Sequence, residues 1–174
     1  MKSPTEPGFW SRTLRTVHRA IRRTPAPSTA QSRPVGDRTQ VYDTKRLGLP
    51  LLEYTPQADD LPDPGEVVWT WVPYEEDPRQ GKDRPVLVLA RTGASIVVAQ
   101  LTSKDHDRDA EQEARYGRHW MDIGSGDWDS RHRDSEVRLD RLLQVPMMDV
   151  RRTGGTLDRR RYDAVVDAVR QFHS

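Results

Sequence analysis

Three consecutive stretches decide the architecture: Gly65-Glu66-Val67-Val68-Trp69-Thr70-Trp71-Val72, the polar run Pro73 to Asp83, and Arg84-Pro85-Val86-Leu87-Val88-Leu89-Ala90. Pro64-Gly65 is a turn signal, and the β-branched and aromatic residues after it have strand composition. Pro73 to Asp83 carries two prolines and Gly81 among charged residues and reads as a loop. Val86 to Ala90 is apolar on both faces, as a buried strand must be. Pro85 fits if the strand opens there, where no amide donor is needed. Thr92-Gly93-Ala94 then reads as a hairpin turn into a third strand, Ser95 to Leu101.

Downstream, Lys104 to Tyr116 is strongly charged and predicts a surface loop or short helix. Arg118 to Ile123 alternates as a strand, Gly124-Ser125-Gly126-Asp127 is a turn, and Ser135 to Val145 supplies one or two strands more. In the last segment Tyr162, Val165, Val166 and Val169 form one apolar stripe behind Asp158, a helix N-cap, so Asp158 to Phe172 closes the chain as a helix. The prediction is a mainly β domain over 61–174: a small barrel or curled sheet of five to six short strands, with the C-terminal α-helix on its open side. There is no β-α-β alternation and no glycine-rich phosphate loop.

Upstream, residues 1–60 hold many prolines, serines and threonines and predict a largely disordered arm. Within it Trp10, Leu14, Val17 and Ile21 recur at helical spacing, with arginines opposite, giving a short basic amphipathic helix near 10–23. Such a helix suits nucleic acid, an anionic membrane surface or a partner protein, or is a transient turn in a solvated tail. Residues 1–50 carry ten Lys/Arg against three acids, and the rest eighteen against twenty-four, so a net charge of +1 hides a basic arm on an acidic body. With 32% charged and 34% hydrophobic residues, either part of the chain is unfolded or the folded part is small. The absence of cysteine excludes disulfides, thiolate zinc sites and cysteine nucleophiles. No apolar run reaches the roughly 18 residues of a membrane span, and the sequence predicts a cytosolic protein.

Four motifs in order resemble the PemK/MazF (Kid-like) toxins: Gly65-Glu66-Val67-Val68-Trp69, the Gly81-Lys82-Asp83-Arg84-Pro85 junction, Leu101-Thr102-Ser103, and Val137-Arg138-Leu139-Asp140. The resemblance covers roughly residues 64–172. It implies an SH3-like barrel, a homodimer, an antitoxin whose disordered segment fills the RNA groove, and cleavage of single-stranded RNA to a cyclic 2′,3′-phosphate and a 5′-hydroxyl. That chemistry needs a base for the 2′-hydroxyl, a cation for the crowded phosphorane, and an acid for the leaving oxygen. Arg84 and Arg138 suit the cation, since a guanidinium offers paired donors to two phosphate oxygens. Asp140 lies two residues from Arg138 and shares its strand face, as an ordinary surface ion pair would too. Thr102 and Ser103 offer hydroxyls to substrate, or simply end a strand.

The sequence departs from the family in the loop, where a His-Glu or Ser-Glu pair is replaced by Glu75-Glu76-Asp77-Pro78-Arg79-Gln80. Glu76 or Asp77 is left for the acidic half, and His106 for the imidazole, set against its reading as a solvated loop histidine. Asp105, His106, Asp107 and Asp109 are neighbours in a polar loop, a weak ligand set, and no metal or other cofactor is expected. Trp69, Trp71, Tyr74, Trp120 and Trp128 are candidates for stacking on bases, although Trp69 and Trp71 share a face and suit core or dimer contacts equally. The leading reading is a sequence-selective, metal-independent endoribonuclease toxin. The alternatives are a non-catalytic barrel that binds nucleic acid or protein, and a toxin that blocks a protein such as a topoisomerase.

Overall fold

The computed structural model describes residues 39–106 and 109–174, so the amphipathic segment near 10–23 lies outside the described residues. The elements in chain order are β1 (Gln40–Val41), α1 (Thr44–Leu47), β2 (Glu66–Pro73), β3 (Gly81–Thr92), β4 (Ser95–Thr102), α2 (Ala110–Arg115), β5 (Trp120–Gly124), β6 (Ser135–Pro146), β7 (Arg152–Thr156) and α3 (Arg159–Phe172). The strands form one antiparallel sheet in the order β1-β6-β4-β3-β2-β7, with β5 added to β6. Register shifts interrupt the β2/β7, β3/β4, β4/β6 and β5/β6 ladders, and such bulges bend and twist a sheet toward a barrel.

Side-chain alternation along the strands produces two buried clusters. Val67, Leu87, Leu89, Val97, Ala99 and Leu101 join Trp128 and α3 in the larger one. Val68, Val72, Val86, Val88, Ile96, Val98, Leu143 and Val145 form the other, closed by Met147 and Val150 where the chain crosses from β6 to β7. The four apolar residues of α3 are buried as its periodicity predicts, each worth about 1.5–3 kcal/mol over exposure. Asp158 caps the helix by accepting the Arg161 amide at 3.0 Å.

The structure corrects three sequence expectations. Gly81, Lys82 and Asp83 are not loop but the first residues of β3, opposite Pro73, Val72 and Trp71. A Cβ on Gly81 would stand 2.3 Å from the Val72 carbonyl and 2.7 Å from the Trp71 ring, so only glycine passes there. Pro85 therefore lies inside β3 rather than at its start, and its missing amide falls just beyond Val86↔Gln100, where β3 pairing with β4 ends. The strands number seven, because Ser135 to Pro146 is a single strand and two more are added: Gln40–Val41 pairs with β6, and Arg152-Thr153-Gly154-Gly155-Thr156 with the outer edge of β2. Finally, residues 39–60 are not a free arm. Leu52 is buried in the core, Tyr54 donates its hydroxyl to the Leu157 carbonyl at 2.8 Å, and the Tyr42 amide donates to Leu142 at 2.9 Å. This strap is held by scattered tyrosines and leucines with no period, which is why composition alone hides it.

Candidate active site

The site arises where two neighbouring strands part. β3 and β4 pair from Thr92↔Ser95 as far as Val86↔Gln100, after which β4 follows β6 through Leu101↔Val137 and Thr102↔Glu136. Residues 81–85 of β3 thus lose their partner on that side, and a cleft opens between them and residues 101–104. Its wide arm, ≈ 560 Å³, is lined by Trp69, Trp71, residues 81–85, residues 101–104 and Trp128. Its narrow arm, ≈ 210 Å³, is lined by Glu75, Glu76, His106, Trp120 and Arg138. Arg84 and Lys104 line both arms and mark their junction.

Arg84 makes no hydrogen bond or ion pair with any described residue. Burial pushes its pKa below the usual arginine value, and its charge in turn lowers that of Lys82. A half-buried guanidinium without a carboxylate is an electrostatic demand for an anion.

Arg138 is the opposite case. Its Nε donates to both Asp140 oxygens at 3.0 and 3.1 Å and its Nη2 to Asp140 at 2.7 Å, while Nη1 donates to Glu75. Burial disfavours its charge, but these bonds outweigh burial and raise its pKa. Its guanidinium also lies 5.7 Å from the centroid of Trp120, its register partner on β5. Asp140 accepts the His119 amide at 2.7 Å as well, so both its oxygens are occupied behind Arg138.

His106 is not a solvated loop histidine. It is 8% exposed, its Nδ1 lies 2.6 Å from Glu136 Oε2, and its amide donates to Glu136 Oε1 at 3.0 Å. Its ring stacks parallel on Trp120 at 4.4 Å, and the Trp120 indole donates to Glu113 at 3.2 Å.

The structure therefore brings Arg84, Arg138, Thr102, Ser103, Glu76 and His106 to one cleft, with Asp140 behind Arg138. Among the described residues Glu76 pairs with Arg118, at 3.4 Å, and its side chain is 75% exposed. Asp77 does not join the site. It accepts from the Arg79 and Gln80 side chains within its own loop, and those bonds pull its pKa down to about 2. Glu75 holds Arg138 instead; the acidic triplet signalled a carboxylate but not which of the three the register would aim inward. Trp120 and Glu136 carried no sequence signal of their role. Among the described residues no group of three or more metal-ligating side chains gathers.

A family model described as the PemK-like, MazF-like toxin of type II toxin-antitoxin systems matches residues 63–173, more than half of the chain. The chain belongs to this toxin family. PemK/MazF toxins are in general endoribonucleases that bind RNA and an antitoxin and form dimers. Among solved structures, the Mycobacterium tuberculosis toxin MazF-mt6 is similar at 18% identity, with a TM-score of 0.41 over 62% of this chain and 94% of that one. No curated protein matches the chain in sequence. Within the described residues, no helix of this PemK/MazF-family chain is long and apolar enough to cross a membrane.

Proposed function

We propose that this chain is a sequence-selective, metal-independent endoribonuclease that cuts single-stranded RNA in the cytoplasm. The observation that carries the reading is Arg84, a cation without a partner among the described residues, at the junction of a cleft that also holds Arg138. The scissile phosphate sits at that junction, its charge taken by Arg84 and Arg138 as the phosphorane forms. Glu75 is the base: it is the one carboxylate on Arg138 that is substantially exposed, at 34%. Asp140, enclosed and fully bonded, holds Arg138 in place. Thr102 and Ser103 take phosphate or base edges, and the half-buried Trp69 offers a ring edge to an unpaired base. A homodimer and an antitoxin segment laid in the same cleft complete the proposal.

One observation favours a binding module instead, since Arg138 is already neutralised by two carboxylates. The test decides between them. The purified chain is incubated with a mixed RNA library, with and without a chelator, and the new 5′ ends are mapped. Cleavage at a few short sequences, unaffected by chelation and slowed about 10²–10³-fold by Arg84→Met, is the expected result. RNA retained but uncut establishes the binding module; cutting that requires a divalent ion overturns the metal-free reading.

A further inference from the structure

Cleavage through the 2′-oxygen leaves a 5′-alkoxide that has to be protonated, and few groups in the cleft qualify. Guanidinium, ammonium and phenol side chains are weak acids near neutral pH, Glu75 already serves as the base, and Glu136 is bonded to a histidine. Only an imidazole exchanges its proton in that range. We infer that His106, oriented by Glu136 and stacked on Trp120, is the proton donor to the leaving 5′-oxygen, an inference that rests on the endoribonuclease reading.

The geometry supports this in three ways. His106 and Glu75 come from different segments and both line the narrow arm: His106 is bonded to Glu136 and Glu75 to Arg138, two residues apart on β6, so a phosphate held at Arg138 has an acid and a base beside it. Ionised Glu136 only accepts, so Nδ1 carries the N–H and Nε2 is the nitrogen left for exchange; the structure gives Nε2 no partner among the described residues. The stack on Trp120 and the two bonds to Glu136 fix the ring at little further entropy cost, unlike a histidine on an open loop. The charges around it are mixed: Glu136 and Arg138 from β6, Glu113 from α2, Arg118 before β5, Glu75 from the loop, and Lys104 on its own segment.

The step balances. The 2′-oxygen forms its bond to phosphorus as its proton passes to Glu75. The bond from phosphorus to the 5′-oxygen breaks with its electron pair on that oxygen, which takes the Nε2 proton of the His106 imidazolium. The products are a cyclic 2′,3′-phosphate and a 5′-hydroxyl, with Glu75 protonated and His106 neutral, and exchange with water restores both.

The experiment uses the full chain and two oligonucleotides carrying the cut sequence found in the library, one natural and one with sulfur in place of the bridging 5′-oxygen. A thiolate leaves without protonation, so it needs no acid. His106→Asn, whose amide still reaches Glu136, should slow the natural substrate by about 10²-fold or more and the sulfur substrate by less than about threefold. The wild-type rate should fall on the alkaline side as the imidazolium is lost, and that limb should be missing in the variant. Glu136→Gln is the second variant. An amide holds the ring less firmly than the carboxylate does, so the natural substrate should slow by more than the sulfur one. Equal slowing of both substrates in either variant overturns the acid role while leaving the ribonuclease reading intact. A wild-type chain that cuts neither substrate overturns both.

Discussion

Replacing Arg84 and Arg138 in turn by methionine separates two uses of a buried arginine. Methionine fills most of the stem volume without the charge. Without Arg138, the Asp140 carboxylate, 10% exposed, keeps only the His119 amide as a donor. Removing one partner of a buried pair costs about 3–5 kcal/mol, because the other charge is stranded. Glu75 can turn to water, so the lower end, about 3 kcal/mol, applies. For a body of this size each kcal/mol moves Tm by roughly 3–5 °C, so Arg138→Met should melt roughly 10 °C lower. Arg84 strands nothing when removed, and burial already opposes its charge, so Arg84→Met should melt at or above the wild-type temperature. Both variants should lose about 10²–10³ in single-turnover RNA cleavage, the usual loss for a preorganised donor to a developing anion. Thermal and urea melts run beside the cleavage assay make the comparison. A drop of several degrees in Arg84→Met would show that its charge supports the fold rather than a ligand. An unshifted Arg138→Met would show that Asp140 does not depend on it.

Two further outcomes follow from the body of the protein. Burial raises the Glu66 pKa above its ordinary value, so the stability of the wild type is fullest below the unfolded-state pKa and declines as pH rises through the folded value. Glu66→Gln keeps an acceptor for the Asp63 amide, 3.1 Å away, and should raise Tm at pH 7–8 with the gain fading near pH 4; a constant difference across that range would refute this. Leu52 is buried against the larger core cluster, and Leu52→Ala should cost about 2–5 kcal/mol in urea unfolding, whereas a free arm would make the change silent.

The parts of the fold that could be read from sequence are those with a local cause. Val86 to Ala90 is apolar whatever it pairs with, Gly93-Ala94 turns a two-residue hairpin with Gly93 at φ 64, and Asp158 caps a helix four residues before Tyr162. What stayed hidden depends on distant partners. β7 has two glycines in five residues and no apolar pattern; it is a strand because β2 has an open edge and Trp128 lies over Gly154. The same holds in the site. Arg84 and Arg138 announce themselves through their motifs, but the burial of His106 is decided by Glu136, thirty residues away. Glu75 is selected over Glu76 and Asp77 by how the 74–80 loop closes between Pro73 and Gly81. Asp77, read from sequence as a candidate for the acidic half of the loop pair, instead bonds Arg79 within that loop.

The two-residue β1 has a consequence out of proportion to its length. β6 is the longest strand on its side of the sheet, and its outer rim is divided: β5 covers Ser135 to Arg138, the His119 carbonyl takes the Leu139 amide, and β1 with Tyr42 covers Leu142 to Gln144. An exposed rim of that length would be a template for another chain to add a strand. By laying a short piece of its own backbone there, and tying that strap to the C-terminus through Thr44 Oγ1 and His173 Nδ1 at 3.0 Å, the molecule makes itself a poor seed for sheet-to-sheet aggregation.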